Sequence, residues 1–126
     1  MENKSLNKFS VEKISLIESC LLKCWSIESC ISWTLENPAK GQCGVTTLLI
    51  NDIFGGEILK TRIGIDWHFY NRIGSIRYDF TRNQFSFDPD YEDIVSDKKE
   101  ILKEINELQF KQFKVTFLKE YIDRKI

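Results

Sequence analysis

The chain has 126 residues, with 18 basic and 19 acidic side chains, a formal net charge of −1, and 42% hydrophobic and 13% aromatic residues. That apolar content suffices for a core and excludes a largely disordered chain; the near-neutral charge excludes binding by broad phosphate neutralisation, so nucleic acid is not an expected partner. Residues 1–10 lack the apolar run of a secretory signal and no stretch approaches the roughly 18 apolar residues of a membrane span, so the expectation is one soluble, cytoplasmic domain over residues 1–126 with no membrane attachment.

The elements follow in chain order. Residues 10–25 carry apolar side chains at Ile14, Ile17, Leu21 and Cys24, with Leu16 and Cys20 on the adjoining row, which is helical spacing. Cys20 and Cys24, four apart, fit either a buried row or a pair of metal ligands; the buried row is the expected state. Cys30 has no partner at ligand spacing and is expected to pack. Residues 31–42 lose periodicity, with Asn37-Pro38 and Gly41 as breakers, and a second helix is expected from Cys43 to Phe54, stopped by Gly55-Gly56. Val45, Leu48, Leu49, Ile50, Ile53 and Phe54 cover most of its circumference, which predicts a central helix packed on several sides.

Beyond the glycines the period becomes strand-like over residues 57–63, 66–73 and 76–81, with Gly74-Ser75 as the second turn, and predicts a three-stranded antiparallel meander. Residues 86–93 form an acidic connection without the spacing or glycine of a calcium loop, and are expected to be a solvated loop. From Ser96 onward the spacing of Ile101, Leu102, Ile105, Leu108, Phe110, Phe113, Phe117, Leu118, Tyr121 and Ile122 predicts one long helix or two shorter ones. The fold class is therefore α+β, a buried helix packed on a small antiparallel sheet with helices at both ends of the chain.

Chemistry enters through the order of a cysteine at a helix start, the chain's one histidine in a following strand and an aspartate in the next. A helix N-terminus and a neighbouring imidazolium both favour the thiolate that attacks a carbonyl. If Gly74-Ser75 is a two-residue turn, paired positions sum to 149, so Tyr70 faces Asp79 and His68 faces Thr81. His68 and Asp79 are then diagonal neighbours on one face, about 7–8 Å apart, a gap their side chains can close. In that arrangement Cys43 attacks, His68 accepts and returns the proton, and Asp79 fixes the imidazole tautomer. The backbone N–H of Cys43 with the amide of Gln42 or of Asn37 would hold the oxyanion, and Trp33 is a further candidate for substrate contact. The bland alternative is that Cys43 and His68 only pack and that Asp79 only bonds within the hairpin to Thr81 or Arg82.

The strings ENPAKGQCGVT (36–46), DIFGGEIL (52–59), HFYNRI (68–73) and DFTRNQF (79–85) resemble the YunG family of small bacterial proteins, over residues 33–85 with a looser echo in the C-terminal helix. Gly44 and Thr47 stand where that pattern has alanines, and Trp67 replaces a small residue before the histidine. More distantly, cysteine on a helix, histidine on a strand and aspartate with a nearby threonine on the next strand resemble transglutaminase-like and papain-like cysteine hydrolases. That resemblance implies a papain/transglutaminase-like core, a catalytic set Cys43, His68 and Asp79, and an oxyanion side chain six residues before the cysteine, where Asn37 stands. The expected function is a thiol-dependent acyl-transfer enzyme acting on a small-molecule or peptide amide or ester, with no cofactor and no metal; nothing in the sequence fixes an oligomeric state. Two other readings stand beside it. One is a non-catalytic binding module on the same fold, making contacts through Trp33, Trp67 and Tyr70. The other is a metal-binding module built from Cys20, Cys24 or Cys43 with His68.

Overall fold

A computed structural model describes residues 8–125. Ser10 starts helix α1, Val11–Cys24, its hydroxyl accepting the Lys13 N–H at 3.1 Å and so satisfying one amide of the open first turn. Ile17, Cys20, Leu21 and Cys24 form its buried row. Helix α2, Cys43–Phe54, is buried from Gly44 through Ile50, as a helix apolar on all sides must be. The C-terminal segment divides into α3, Lys98–Leu102, and α4, Glu107–Lys125, which buries Phe110, Phe113, Phe117 and Tyr121 at helical spacing. α1 and α4 pack on one another, and α2 lies between α4 and the sheet.

The sheet is antiparallel, in the order β3-β2-β1-β4, from β1 Glu57–Ile63, β2 Asp66–Ile73, β3 Ile76–Tyr78 and β4 Ile94–Ser96. The fourth strand is a correction to the expected three. Its three residues are too few for an alternation signal, and it forms by pairing with Ile58, Leu59 and Lys60 of β1. The β2–β3 register pairs Asn71 with Tyr78, Arg72 with Arg77 and Ile73 with Ile76, the sum of 149 that a two-residue turn dictates. Gly74 and Ser75 both have positive φ, +57° and +68°, as the tight turn between right-twisted strands requires.

Here the second correction falls. β3 ends at Tyr78 and does not run on to Thr81. The Asp79 carboxylate accepts from both the N–H and the hydroxyl of Thr81 at 3.3 Å, bending the chain out of the ladder into a 3-10 turn at Arg82–Gln84.

One face of β2 presents Phe69, Asn71 and Ile73 to α2, and Asn71, completely buried, donates to the Thr47 carbonyl at 3.0 Å. The other face carries His68 and Tyr70 beside Leu59 and Thr61 of β1, all buried. Residues 86–93, expected as a solvated loop, instead strap this face. Thr61 Oγ1 donates to the Asp90 carbonyl at 3.0 Å and accepts the Glu92 N–H at 3.0 Å, while Tyr70 Oη accepts the Asp93 N–H at 2.8 Å. A buried sheet face needs a cover, and α2, the helix packed on the sheet, lies on the other face.

Asn71 is the polar tie between α2 and the sheet. Asn71→Ala should lower unfolding stability, measured in urea, by about 1–3 kcal/mol through the lost buried hydrogen bond; a change within experimental error would show that the bond contributes nothing net.

Candidate active site

Cys43 opens α2 two residues after Gly41, which holds φ +75°. A Cβ at Gly41 would lie 2.7 Å from Ser32 Cβ, so only glycine fits this bend. The Gly41 N–H donates to Gln84 Oε1 at 3.2 Å, Gln84 Nε2 donates to the Thr81 carbonyl at 3.2 Å, and Asn37 Nδ2 donates to the Gln84 carbonyl at 3.1 Å. These bonds staple the loop before the cysteine to the turn after the aspartate.

His68 is 2% exposed and lies beyond the last β2–β3 ladder pair, on the sheet face opposite α2. Its Nε2 donates to Asp79 Oδ2 at 2.7 Å, with both side chains 3% exposed. With Nε2 so engaged, Nδ1 is the ring nitrogen left for the Cys43 thiol, which lines the same cleft. Burial opposes charge on the ring, but the Asp79 hydrogen bond, the Cys43 contact and the charges on both outweigh it and raise the His68 pKa to about 9. Asp79 Oδ2 also accepts the Tyr91 hydroxyl at 2.8 Å, so both carboxylate oxygens are fully engaged. The Phe85 ring meets His68 edge-on at 4.8 Å, and Tyr70 stacks on it at 5.9 Å.

Cys43 and His68 open on a cleft of about 390 Å³, whose other walls include Ile63, Ile65, Trp67, Phe85, Asp66 and Glu104. Trp67 is one wall of this cleft, with Lys60 Nζ and Arg62 Cζ over its indole, 4.1 and 4.3 Å from the ring centre. No side chain caps the N-terminus of α2. Its first-turn amides are oriented along the helix axis at the same end as the thiol, which favours negative charge there.

The structure therefore brings Cys43, His68 and Asp79 into one chain of contacts, and leaves the other candidates elsewhere. Asn37 is committed to the Gln84 carbonyl and does not line the cleft. Gln42 is completely buried, its Oε1 accepting from Ser29 Oγ at 2.7 Å and its Nε2 without a partner among the described residues. Trp33 packs half-buried against the core, outside the cleft, and Tyr70 lies 1% exposed beneath the strap, so of the three aromatic side chains expected to make binding contacts only Trp67 faces the cleft. The metal-ligand expectation meets a similar separation. Cys20 and Cys24 are buried in the α1–α4 contact, where burial pushes both thiols up, Cys24 to about 11, and among the described residues no three His, Cys, Asp or Glu side chains gather as a metal group.

Sequence reasoning missed Tyr91, Phe85, Gln84, Asp66 and Glu104. The Asp79-x-Thr81 spacing was the available sign that the strand would end there, because an aspartate two residues before a threonine can turn the chain on itself.

The protein is thus of the α+β class, with a thiol and an imidazole lining one cleft and a buried carboxylate bonded to the imidazole. The chain belongs to the YunG family, whose model, described as YunG protein, matches residues 13–121. It is 44% identical over 101 residues, 80% of this chain and 88% of the other, to the uncharacterized protein YunG of Bacillus subtilis (strain 168). No solved structure matches, so the α+β class stands while a papain/transglutaminase-like core has no structural neighbour behind it. Among the described residues no helix is long and apolar enough to cross a membrane.

Two outcomes follow from this geometry. A histidine whose pKa is raised on folding, from about 6.5 to about 9, contributes stability that is complete below pH 6.5 and lost as pH climbs through 9. Unfolding free energy should fall by about 3 kcal/mol over that window, and His68→Gln should remove that part of the slope in urea titrations run at each pH. Gly41→Ala, forced into positive φ against Ser32, should cost about 1–3 kcal/mol by the same measurement; an unchanged midpoint would show that the bend relaxes freely.

Proposed function

We propose that the cleft is the active site of a thiol-dependent acyl-transfer enzyme, hydrolysing an amide or ester or passing its acyl group to an amine. The observation that supports this most directly is the chain of contacts from Cys43 through His68 to a fully engaged Asp79, opening on a cleft large enough for a side chain or a small acyl group. Cys43 Sγ attacks the carbonyl carbon and forms a thioester as the bond to the leaving nitrogen or oxygen breaks, and the proton on His68 Nδ1 goes to that leaving atom. The neutral ring then takes a proton from water or an amine, which attacks the thioester and frees Sγ. Asp79 keeps the remaining ring proton on Nε2 and stabilises the charged ring. The Cys43 backbone N–H, at the start of α2 where no side chain caps the helix, serves as the oxyanion donor in this reading.

The test is alkylation by iodoacetamide between pH 5 and 9, read at each cysteine by peptide mass spectrometry. Near pH 6 Cys43 should react at least about tenfold faster than the half-buried Cys30, an advantage that His68→Ala removes. Cys43→Ser should abolish the fast labelling and leave the melting temperature nearly unchanged. Equal rates at Cys43 and Cys30, or a Cys43 rate indifferent to His68, would sink the catalytic reading.

A further inference from the structure

The strap does more than cover the sheet. We infer that Tyr91 is a positioning residue of the Cys43 site, setting through its hydrogen bond to Asp79 Oδ2 how strongly that carboxylate holds the His68 imidazolium. The inference rests on the reading of the cleft as a thiol site and adds to it a residue from the strap.

Asp79 Oδ2 is shared by two donors, His68 Nε2 at 2.7 Å and Tyr91 Oη at 2.8 Å, while Oδ1 is taken by Thr81. A carboxylate oxygen that already accepts one hydrogen bond carries less charge for the next donor. Tyr91 therefore moderates the attraction of Asp79 for a charged ring, so that the imidazolium is stable enough to accompany a thiolate and still able to release its proton to a leaving group. Burial and the carboxylate both push the Tyr91 phenol well above its usual range, which keeps the hydroxyl a donor wherever His68 titrates.

The tyrosine is itself fixed from three sides. Its ring meets Tyr70 edge-on at 4.9 Å, the Arg77 guanidinium of β3 stacks 4.4 Å from its centre, and the Glu92 backbone next to it is bonded to Thr61. Arg77 is in turn held by Asp93 in a two-point pair at 2.8 and 2.6 Å. The charged and titratable groups around the Asp79–His68 pair are Cys43 from α2, Tyr70 from β2 and Tyr91 from the strap, with Arg77 from β3 and Arg82 from the 3-10 turn beside Tyr91, Asp93 behind Tyr70 and Arg77, and Asp66 and Glu104 across the cleft. Among the described residues, only Tyr91 and Thr81 hydrogen-bond the Asp79 carboxylate besides the histidine.

The chain has a single histidine, so its imidazole carbon signals in an NMR titration report His68 alone. Tyr91→Phe keeps the ring contacts with Tyr70 and Arg77 and removes only the hydroxyl. The expected result is a His68 midpoint moved upward by about half a pH unit or more, with the alkaline limb of Cys43 alkylation moving with it. Tyr70→Phe is the companion variant, because its hydroxyl bonds Asp93 and not Asp79, and it should leave the midpoint in place. A Tyr91→Phe midpoint equal to that of the wild type overturns the inference, and so does an equal shift in Tyr70→Phe, which would assign the effect to loosening of the strap. Failure of the thiol reading is a separate result, seen in the wild type as a Cys43 that alkylates no faster than Cys30.

Discussion

A carboxylate taken out of water must be surrounded by donors, and Asp79 is the place where this protein meets that requirement. Its side chain is 3% exposed and receives the Thr81 N–H and hydroxyl on one oxygen and His68 and Tyr91 on the other. The same group thereby ends β3, turns the chain toward the strap and orients the imidazole. Each role depends on the others, since a β3 that continued to Thr81 would leave the strap no route over His68 and the carboxylate no phenol.

α2 supplies the opposite side of the site by different physics. It is held by burial on nearly every face, with the Trp25 indole donating to Thr46 at 2.8 Å and Asn71 donating to Thr47 from the sheet. Its first residue, Cys43, is the exception, half-buried at the uncapped end and lining the cleft. Gly44 belongs to that fit. A Cβ there would meet Ile105 at 3.0 Å, so the segment between α3 and α4 sits closer to the start of α2 than an alanine in that position would allow.

The local signals in the chain were legible because they are local. Ser10 before an apolar helical row, the all-round apolar circumference of residues 43–54 and the Gly74-Ser75 turn each fix an element or a register from neighbours in sequence, and the 149 register followed from the turn alone. What stayed hidden depends on partners far along the chain. β4 exists only because β1 offers an edge, and the strap is ordered because Thr61 and Tyr70 need buried partners, neither of which alternation or charge in residues 86–96 can announce. Asn37 and Gln42 were credible amides by spacing to Cys43, but spacing does not tell which way a loop side chain turns. One bonds the Gln84 carbonyl and the other is shut in with Ser29.

The pairing of α1 with α4 joins the two ends of the chain, since the buried row of Ile17, Cys20, Leu21 and Cys24 meets the stripe of Phe110, Phe113, Phe117 and Tyr121. During synthesis from the N-terminus that first row emerges long before its α4 cover does. Until α4 has been made, the apolar row of α1 is without the face it packs on in the folded protein, and that interval is when the row is open to non-native contacts.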